Sequence, residues 1–160
     1  MSSISEPTRA INIFFSYAHQ DKALRDKLVK HLSLLKREGL ITNWHDHEIS
    51  AGTEWASAVD SYLDKAHLIL LLISPDYMNS EYCYSVEMKR ALERHDSGEA
   101  RVIPIILRPT YWRDAPFDKL QALPTDGKPI TKWKETDNAF LDIISGIRSA
   151  LKGITTITTE

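Results

Sequence analysis

Hydrophobic and polar positions along this chain follow two different periods. Short apolar runs of the length typical of buried strands occupy 11–17 (INIFFSY), 40–46 (LITNWHD), 67–74 (HLILLLIS), 100–108 (ARVIPIILR) and 128–133 (KPITKW). Between these runs, apolar residues recur every three or four positions, as they do on one face of a helix. The pattern therefore predicts strands that alternate with helices, which is typical of a parallel sheet with helices on both faces.

The spacing of three or four positions between apolar residues predicts the main helices. They cover 21–38, 54–66, 80–96 and 136–154. Gly39 follows the first helix as a C-terminal stop, and Thr53 is the expected N-cap of the second. After the third strand, Ser74 and Pro75 form a strand-to-helix turn with an N-cap followed by a proline.

Five strand–helix units with right-handed crossovers predict a flavodoxin-like, three-layer α/β/α fold. Its five-stranded parallel sheet would have the strand order 2-1-3-4-5. In that order the chain reverses direction between strands one and three, and ligands bind outside the carboxyl ends of the strands at this point. The third strand is followed by SPDYMNSEYCYSVE, so Glu87 belongs to a segment that lines the predicted crevice.

The residues expected around this crevice carry hydroxyl groups, aromatic rings and carboxylates. Besides Glu87, the predicted ligand-binding residues are Ser16, Tyr17, His19, Asp46, Gly52, Trp55, Ser74, Tyr77, Ser80, Tyr82 and Cys83, with Gln20 and Glu48 beside them in the sequence. Such a set suits a sugar or nucleotide ligand. Neither the G-x-G-x-x-G motif nor the P-loop occurs, although the Ser-rich turn could offer backbone N–H groups to a phosphate.

Composition narrows the classes of partner. The chain has 160 residues, 42% of them hydrophobic, which suits one domain with a sizeable core. A net charge of -2 gives no strong field for nucleic acid or an anionic membrane, and the longest apolar run, 68–73, is too short to span a membrane. The single cysteine, Cys83, excludes an internal disulfide, so a reducing, cytoplasmic setting is expected. His45 and His47 would share a strand face, but no further His or Cys cluster accompanies them, so no metal site is expected.

Four segments resemble, in order and spacing, the successive sequence boxes of a Toll/interleukin-1 receptor (TIR) domain of the bacterial type. They are FFSYAHQD, the W-x-D of NWHD, the loop EISAGTEW, and SPDYMNSEYCYSVEM. The resemblance places the TIR domain at 10–152. It leaves 1–9 as a disordered N-terminal segment and 153–160 as a flexible tail or the start of a linker.

The resemblance implies two kinds of function. One is an enzyme that cleaves the nicotinamide–ribose bond of NAD+, an NAD+ glycohydrolase or ADP-ribosyl cyclase that releases nicotinamide and ADP-ribose or a cyclic ADP-ribose. NAD+ would be its substrate, and no cofactor is expected. Such a chain would act as an effector or signal generator in bacterial immunity and antiphage defence, activated by self-association with other TIR domains and controlled by a sensor domain in a longer chain. The alternative is a non-catalytic interaction or scaffold module in signalling.

In the enzymatic members of the family the critical residue is a glutamate in the helix after the third strand. That position is Glu87 here, and the loop that gates the site corresponds to 46–55. One carboxylate is chemically sufficient. Departure of neutral nicotinamide leaves an oxocarbenium-like ribose that a carboxylate stabilises, and the cationic pyridinium needs no acid to leave.

The sequence departs from the family at one point. The family often has a Trp-Cys pair with the glutamate four residues after the tryptophan. Here Tyr82 precedes Cys83, and Glu87 follows Tyr82 by five residues. Either Cys83 takes the tryptophan position, or the turn carries one extra residue.

The same residues allow two other interpretations. Glu87 could be a solvated helix residue that the helix dipole favours near an N-terminus. A receiver domain of flavodoxin-like fold would need clustered acidic residues after strand one and an aspartate after strand three. This chain has Ser-Tyr and Ser-Pro at those places, which argues against a receiver.

Overall fold

The computed structural model describes residues 11–48, 51–52 and 54–158. In chain order the main elements are β1 (Ile11–Ser16), α1 (Lys22–Arg37), β2 (Ile41–His45), α2 (Trp55–Lys65), β3 (Leu68–Ile73), α3 (Pro75–Asn79), α4 (Met88–Asp96), β4 (Arg101–Ile106) and α5 (Thr136–Thr158). The shorter elements are 3-10 turns at His19–Asp21, Thr125–Gly127 and Ile130–Lys132 and a π turn at Cys83–Glu87. No helix in this part of the chain is long and apolar enough to cross a membrane.

Four parallel strands form the sheet, in the order β2-β1-β3-β4. β1 pairs with β2 on one side and with β3 on the other, where Phe15 lies opposite Leu70. The predicted order is therefore confirmed for these four strands. The chain crosses from one side of β1 to the other, so the carboxyl ends of β1 and β3 flank the point where a ligand is expected.

The predicted fifth strand at 128–133 is wrong. Ile130–Lys132 is a 3-10 turn, and the sheet of the described residues has four strands. The outer edge of β4 is occupied by Leu123 instead, which exchanges two backbone hydrogen bonds of 2.8 and 2.9 Å with β4. Pro124 follows directly and has no N–H with which to extend the ladder. Ile130 is buried in the core without being part of a strand.

Helices cover both faces of the sheet, as the three-layer prediction requires. Neighbouring residues of one strand point to opposite faces, so Phe15 and Phe14 enter different hydrophobic clusters. The first cluster lies against α1 and α5 and includes Leu28, Leu32, Leu35, Phe140, Ile143 and Ile147. The second lies against α2 and α4 and includes Val59, Leu63, Met88, Ala91 and Leu92.

The helix ends follow the local sequence. Gly39, with a φ of +80°, follows α1 as the predicted stop. Ser74 caps α3, since its Oγ accepts a hydrogen bond of 3.0 Å from the N–H of Tyr77. The predicted cap at Thr53 and the predicted disordered segment 1–9 lie outside the described residues.

Two predicted helices have different bounds in the structure. The helix expected over 80–96 is divided into the π turn Cys83–Glu87 and α4, with α3 as a separate turn before them. α5 continues to Thr158, so most of the tail predicted at 153–160 is helical. Ile154 still packs into the core, which explains why the helix extends beyond 152.

Candidate active site

A cleft of about 550 Å³ opens beyond the carboxyl ends of β1 and β3. The first strand contributes Tyr17 and the residues after it, and the segment after β3 contributes the opposite wall. The lining residues are Tyr17, Ala18, His19, Gln20, His47, Trp55, Asp76, Asn79, Ser80, Tyr82 and Cys83. The cleft therefore lies at the switch point of the sheet and presents mainly hydroxyl, amide and aromatic groups.

Glu87 lies beneath this cleft and is fully buried. Its Oε1 accepts a hydrogen bond of 2.7 Å from the hydroxyl of Ser16, the last residue of β1. Ser16 Oγ is in turn 2.8 Å from the hydroxyl of Tyr77 in α3. The carboxylate is thus attached by one oxygen to the central strand of the sheet.

The second oxygen of Glu87, Oε2, has no hydrogen-bond partner among the described residues. The imidazole Nδ1 of His47 is 3.6 Å from it and is also without a hydrogen bond. The contact with Glu87 raises the pKa of His47, against the opposing effect of burial. His47 therefore covers the free oxygen of the carboxylate without satisfying it.

A π turn places Glu87 at this depth. The N–H of Met88 bonds to the carbonyl of Cys83, five residues back, so the helix holds one more residue here than an α-turn would. With this wider winding, residues five apart lie on the same side of the helix. Tyr82 and Glu87 are such a pair, and the Glu87 charge adds to the effect of burial in raising the pKa of Tyr82. The π turn favours the interpretation in which the turn carries one extra residue.

Tyr82 and Cys83 have different places at the cleft. The ring of Tyr82 lies 5.0 Å from that of Trp55, tilted by 51°, so that the two aromatic side chains meet across the opening. The thiol of Cys83 is buried and donates to the carbonyl of Tyr17 at 3.3 Å. Burial raises the pKa of Cys83 to about 11, which leaves it protonated at neutral pH and unsuited to act as a nucleophile.

The start of the loop after β2 is held by charged side chains. Asp46 is buried, accepts the N–H of Glu48 at 2.7 Å, and pairs with Arg25 Nη1 of α1 at 2.8 Å. The ring of Tyr17 stacks on His47 at 4.8 Å. His47 stands near the start of this loop, and Trp55 stands at its end. Trp55 Nε1 donates to the His47 carbonyl at 2.8 Å, so the two ends of the loop are joined at the residue that covers Glu87.

A second buried carboxylate, Asp21, lies in the 3-10 turn that follows β1. Its Oδ1 accepts from Arg108 Nε at 2.9 Å, and its Oδ2 accepts from the hydroxyl of Ser74. Arg108 also reaches Asp76, which lines the cleft. This group ties together the ends of β1, β3 and β4.

The predicted ligand-binding residues fall into three sets in the structure. Those that line the cleft are Tyr17, His19, Trp55, Ser80, Tyr82 and Cys83. Those fully buried beneath it are Ser16, Ser74 and Tyr77. The third set neither lines the cleft nor lies directly beneath it. Asp46 pairs with Arg25, and Gly52 is exposed with a φ of +86°.

Sequence reasoning did not assign His47, Asp76 or Asn79 to the site. The sequence places His47 in the predicted gating loop 46–55 and suggests it as a ligand only for a metal, beside His45; within the described ranges no group of three or more His, Cys, Asp or Glu residues is placed to hold one. Its position next to Asp46 in the gating loop was the available signal. Asp76 and Asn79 lie in a helix of five residues, which the prediction treated as a turn.

Comparison with curated proteins finds relatives of two kinds. The chain is 53% identical over 144 residues to uncharacterized protein y4lF of Sinorhizobium fredii (strain NBRC 101917 / NGR234), which covers 90% of this chain and 45% of that protein. It is 27% identical over 103 residues to the 2' cyclic ADP-D-ribose synthase BtTIR of Bacteroides thetaiotaomicron, which covers 64% of this chain and 34% of that protein. This chain therefore matches less than half the length of either relative.

A solved structure and a family model also match this chain. The TIR domains in the activated Roq1 resistosome that recognises the pathogen effector XopQ match with a TM-score of 0.49 and 19% identity, over 92% of this chain and 85% of that one. A model of the TIR domain family matches residues 13–140. Since that match covers most of the sequence and agrees with the resemblance seen in its four boxes, the chain belongs to the TIR domain family.

Proposed function

We propose that this chain is an NAD+-cleaving enzyme whose catalytic residue is Glu87. The observation that carries the proposal is the state of this carboxylate, which is fully buried, holds one hydrogen bond through Oε1 and has Oε2 free beside a cleft. A buried carboxylate with one oxygen left without a hydrogen bond lowers stability, and such groups are concentrated at functional sites. The distant relative whose name states a cyclic ADP-ribose synthase supports the same chemistry.

The reaction requires only one carboxylate. The bond between C1′ of the ribose and the nicotinamide nitrogen breaks, and its electron pair leaves with nicotinamide, which becomes neutral. The positive charge that develops on the ribose is stabilised by the nearby carboxylate, and the free Oε2 is the oxygen available to a ribose hydroxyl. Water then adds at C1′ and loses a proton to give ADP-ribose, or a hydroxyl of the same molecule adds to give a cyclic product.

The residues that line the cleft suit the rest of this substrate. Tyr82 and Trp55 offer aromatic faces at the opening, on which a nicotinamide or adenine ring can stack. Ser80 and Asn79 offer hydrogen-bonding groups on the same wall, and His19 offers an exposed ring on the other. We assign these side chains to substrate binding.

NAD+ reaches Glu87 only after the loop that begins at Asp46 has moved. Glu87 is fully buried, and His47 stands between its free oxygen and the cleft. Besides its 3.6 Å contact with Glu87, His47 is held by the stacked ring of Tyr17 and by one hydrogen bond to its carbonyl, which can be broken without disturbing the core. We propose that self-association of TIR domains favours the open loop and thereby activates the enzyme, in the cytoplasm and as part of a bacterial defence response controlled by a sensor domain.

The alternative is a TIR module that only binds other TIR domains. The full enclosure of Glu87 is the observation in its favour, since an enclosed carboxylate cannot touch a substrate. In that case the loop after β2 would serve as a contact surface, and substitution of Glu87 would have no consequence for signalling.

Release of nicotinamide from NAD+ separates the two functions. The purified chain is compared with Glu87→Gln over a wide range of protein concentrations, with substrate and products resolved by chromatography. The matched control is Glu81→Gln, since Glu81 lies six residues earlier in the same segment and is exposed. We expect Glu87→Gln to reduce turnover by roughly 100-fold or more and Glu81→Gln to leave it within about twofold.

Each outcome decides between the proposals. Equal amounts of NAD+ lost and nicotinamide formed in the wild type, abolished by Glu87→Gln, would establish the enzyme, and the second product would name its subtype. No turnover at any concentration, including with the chain clustered on a multivalent carrier, would favour the interaction module.

A further inference from the structure

Three fully buried side chains from three different elements form a single hydrogen-bonded row beneath the cleft. Tyr77 of α3 is 2.8 Å from Ser16 of β1, and Ser16 is 2.7 Å from Glu87. All three residues are 0% exposed, so bulk water does not supply alternative partners. The row begins at a phenol, passes through one hydroxyl and ends at the carboxylate.

The two hydrogen bonds of this row allow only one assignment of donors and acceptors. A carboxylate only accepts, so the short contact between Ser16 Oγ and Glu87 Oε1 requires the Ser16 proton to point to Glu87. The Ser16 oxygen is then left to accept, and Tyr77 is the group that donates to it. Burial raises the pKa of Tyr77 well above that of an ordinary tyrosine, which keeps its phenol protonated as this assignment requires.

We propose that Ser16 and Tyr77 are positioning residues for Glu87, with Ser16 holding Oε1 so that Oε2 alone faces the substrate. The proposal rests on the proposed function for its catalytic consequence. It differs from a substrate-binding role for these two hydroxyls, which lie beneath the cleft and do not line it.

The element that carries Ser16 makes it suitable for this role. β1 is an inner strand of the sheet, paired on both sides, and Ser16 lies opposite Leu71 of β3. A hydrogen bond from such a rigid element fixes the rotation of a carboxylate better than one from a loop. His47, whose Nδ1 lies 3.6 Å from the second oxygen of Glu87, belongs instead to the loop that must move.

His47 reports on this arrangement independently of turnover. The carboxylates that face it are Glu87, Asp46 and Glu48, and the ring of Tyr17 stacks on it. If Ser16 no longer donates to Glu87, the carboxylate is free to turn to His47 as its hydrogen-bond donor. The pKa of His47 would then rise further, which can be followed through the imidazole resonances by NMR.

The test uses the variants Ser16→Ala, Ser16→Thr and Tyr77→Phe, with Ser85→Ala as the matched control at an exposed hydroxyl of the same segment as Glu87. For Ser16→Ala we expect kcat to fall roughly 10- to 100-fold with KM within about threefold, because the reacting carboxylate loses its orientation. Ser16→Thr retains the hydroxyl and should restore most of kcat. Tyr77→Phe should lower kcat by a smaller factor, about threefold or more, in the same direction.

The outcomes keep this proposal separate from the proposed function. A kcat within twofold of wild type in Ser16→Ala, or a loss that Ser16→Thr does not restore, would overturn it. If the wild type itself cleaves no NAD+, the proposed function fails. The NMR titration of His47 then still tests whether Ser16 positions Glu87. A higher His47 pKa in Ser16→Ala supports the positioning contact, and an unchanged one overturns it. Should Ser16→Ala fail to fold, Tyr77→Phe tests the same positioning role through its kcat and through the pKa of His47.

Discussion

Asp21 and Glu87 are both enclosed carboxylates beneath one cleft, but their partners differ. Both oxygens of Asp21 are bonded, one to the guanidinium of Arg108 and one to Ser74. Glu87 has one neutral donor, Ser16, and an oxygen with no hydrogen bond. A buried charge with a cation and a full set of donors belongs to the framework of a fold. A buried charge left half satisfied requires another explanation, and a substrate that completes its hydrogen bonds provides one.

The largest difference between the two carboxylates should appear in stability. Asp21→Asn leaves Arg108 with one fewer carboxylate in a partly buried site, and we expect the free energy of unfolding to fall by about 2–3 kcal/mol. Glu87→Gln removes a buried charge whose Oε2 lacks a hydrogen bond and loses only the 3.6 Å contact with His47, while Ser16 can still donate to the amide oxygen. We expect this variant to unfold within about 1 kcal/mol of wild type, or to be more stable. Urea unfolding followed by circular dichroism measures both, and a similar loss for the two variants would contradict the distinction.

The π turn offers a way to change the spacing between Tyr82 and Glu87 without touching their chemistry. Val86 is 46% exposed, so its deletion removes little core contact and allows Cys83–Glu87 to wind as an ordinary α-helix. Tyr82 would then precede the glutamate by four residues, a spacing that an α-helix also places on one side. We expect NAD+ cleavage to stay within about threefold of wild type, because the aromatic side chain and the carboxylate keep their common side. Val86→Ala is the control for the lost side chain, and a loss of roughly tenfold or more in the deletion alone would show that the π turn itself is required.

The smallest expected effect concerns the two histidines that flank Asp46. The pKa of His47 is raised by its contact with Glu87, so this group stabilises the fold below the ordinary histidine pKa of 6.5, and the contribution is lost as pH rises through the raised value. The free energy of unfolding lost in His47→Gln should therefore be larger at pH 5 than at pH 8.

His45 provides the matched comparison because burial lowers its pKa. A lowered histidine pKa destabilises the fold as pH falls, so His45→Gln should cost more at pH 8 than at pH 5. Urea unfolding of both variants at the two pH values gives the sign directly. The same pH dependence for both would mean that Glu87 does not influence His47.

The sequence predicted the parts of this molecule that hydrophobic pattern and chain direction determine. β3 is a run of six apolar residues and is buried throughout, as a strand covered on both faces must be. The order of the first four strands followed from crossover handedness, and it placed Glu87 beside the switch point. Ile130 misled the prediction because an apolar residue that follows a proline fits a core contact as well as a strand.

The state of Glu87 was not predictable in the same way. Glu87 ends a π turn, whose only signal in the sequence is one residue too many between Tyr82 and Glu87. Its hydrogen bond to Ser16 and its contact with His47 join residues 71 and 40 positions apart. Such contacts depend on tertiary packing, which no local pattern expresses.

The most direct test of the account is the structure of Glu87→Gln with NAD+ bound. We predict that His47 is displaced and that a ribose hydroxyl of NAD+ lies within about 3 Å of the side-chain amide at position 87, with the nicotinamide ring near Tyr82 and Trp55. NAD+ bound with residue 87 still enclosed beneath His47, or bound away from the cleft, would contradict the claim that the free oxygen of Glu87 is the one that meets the substrate.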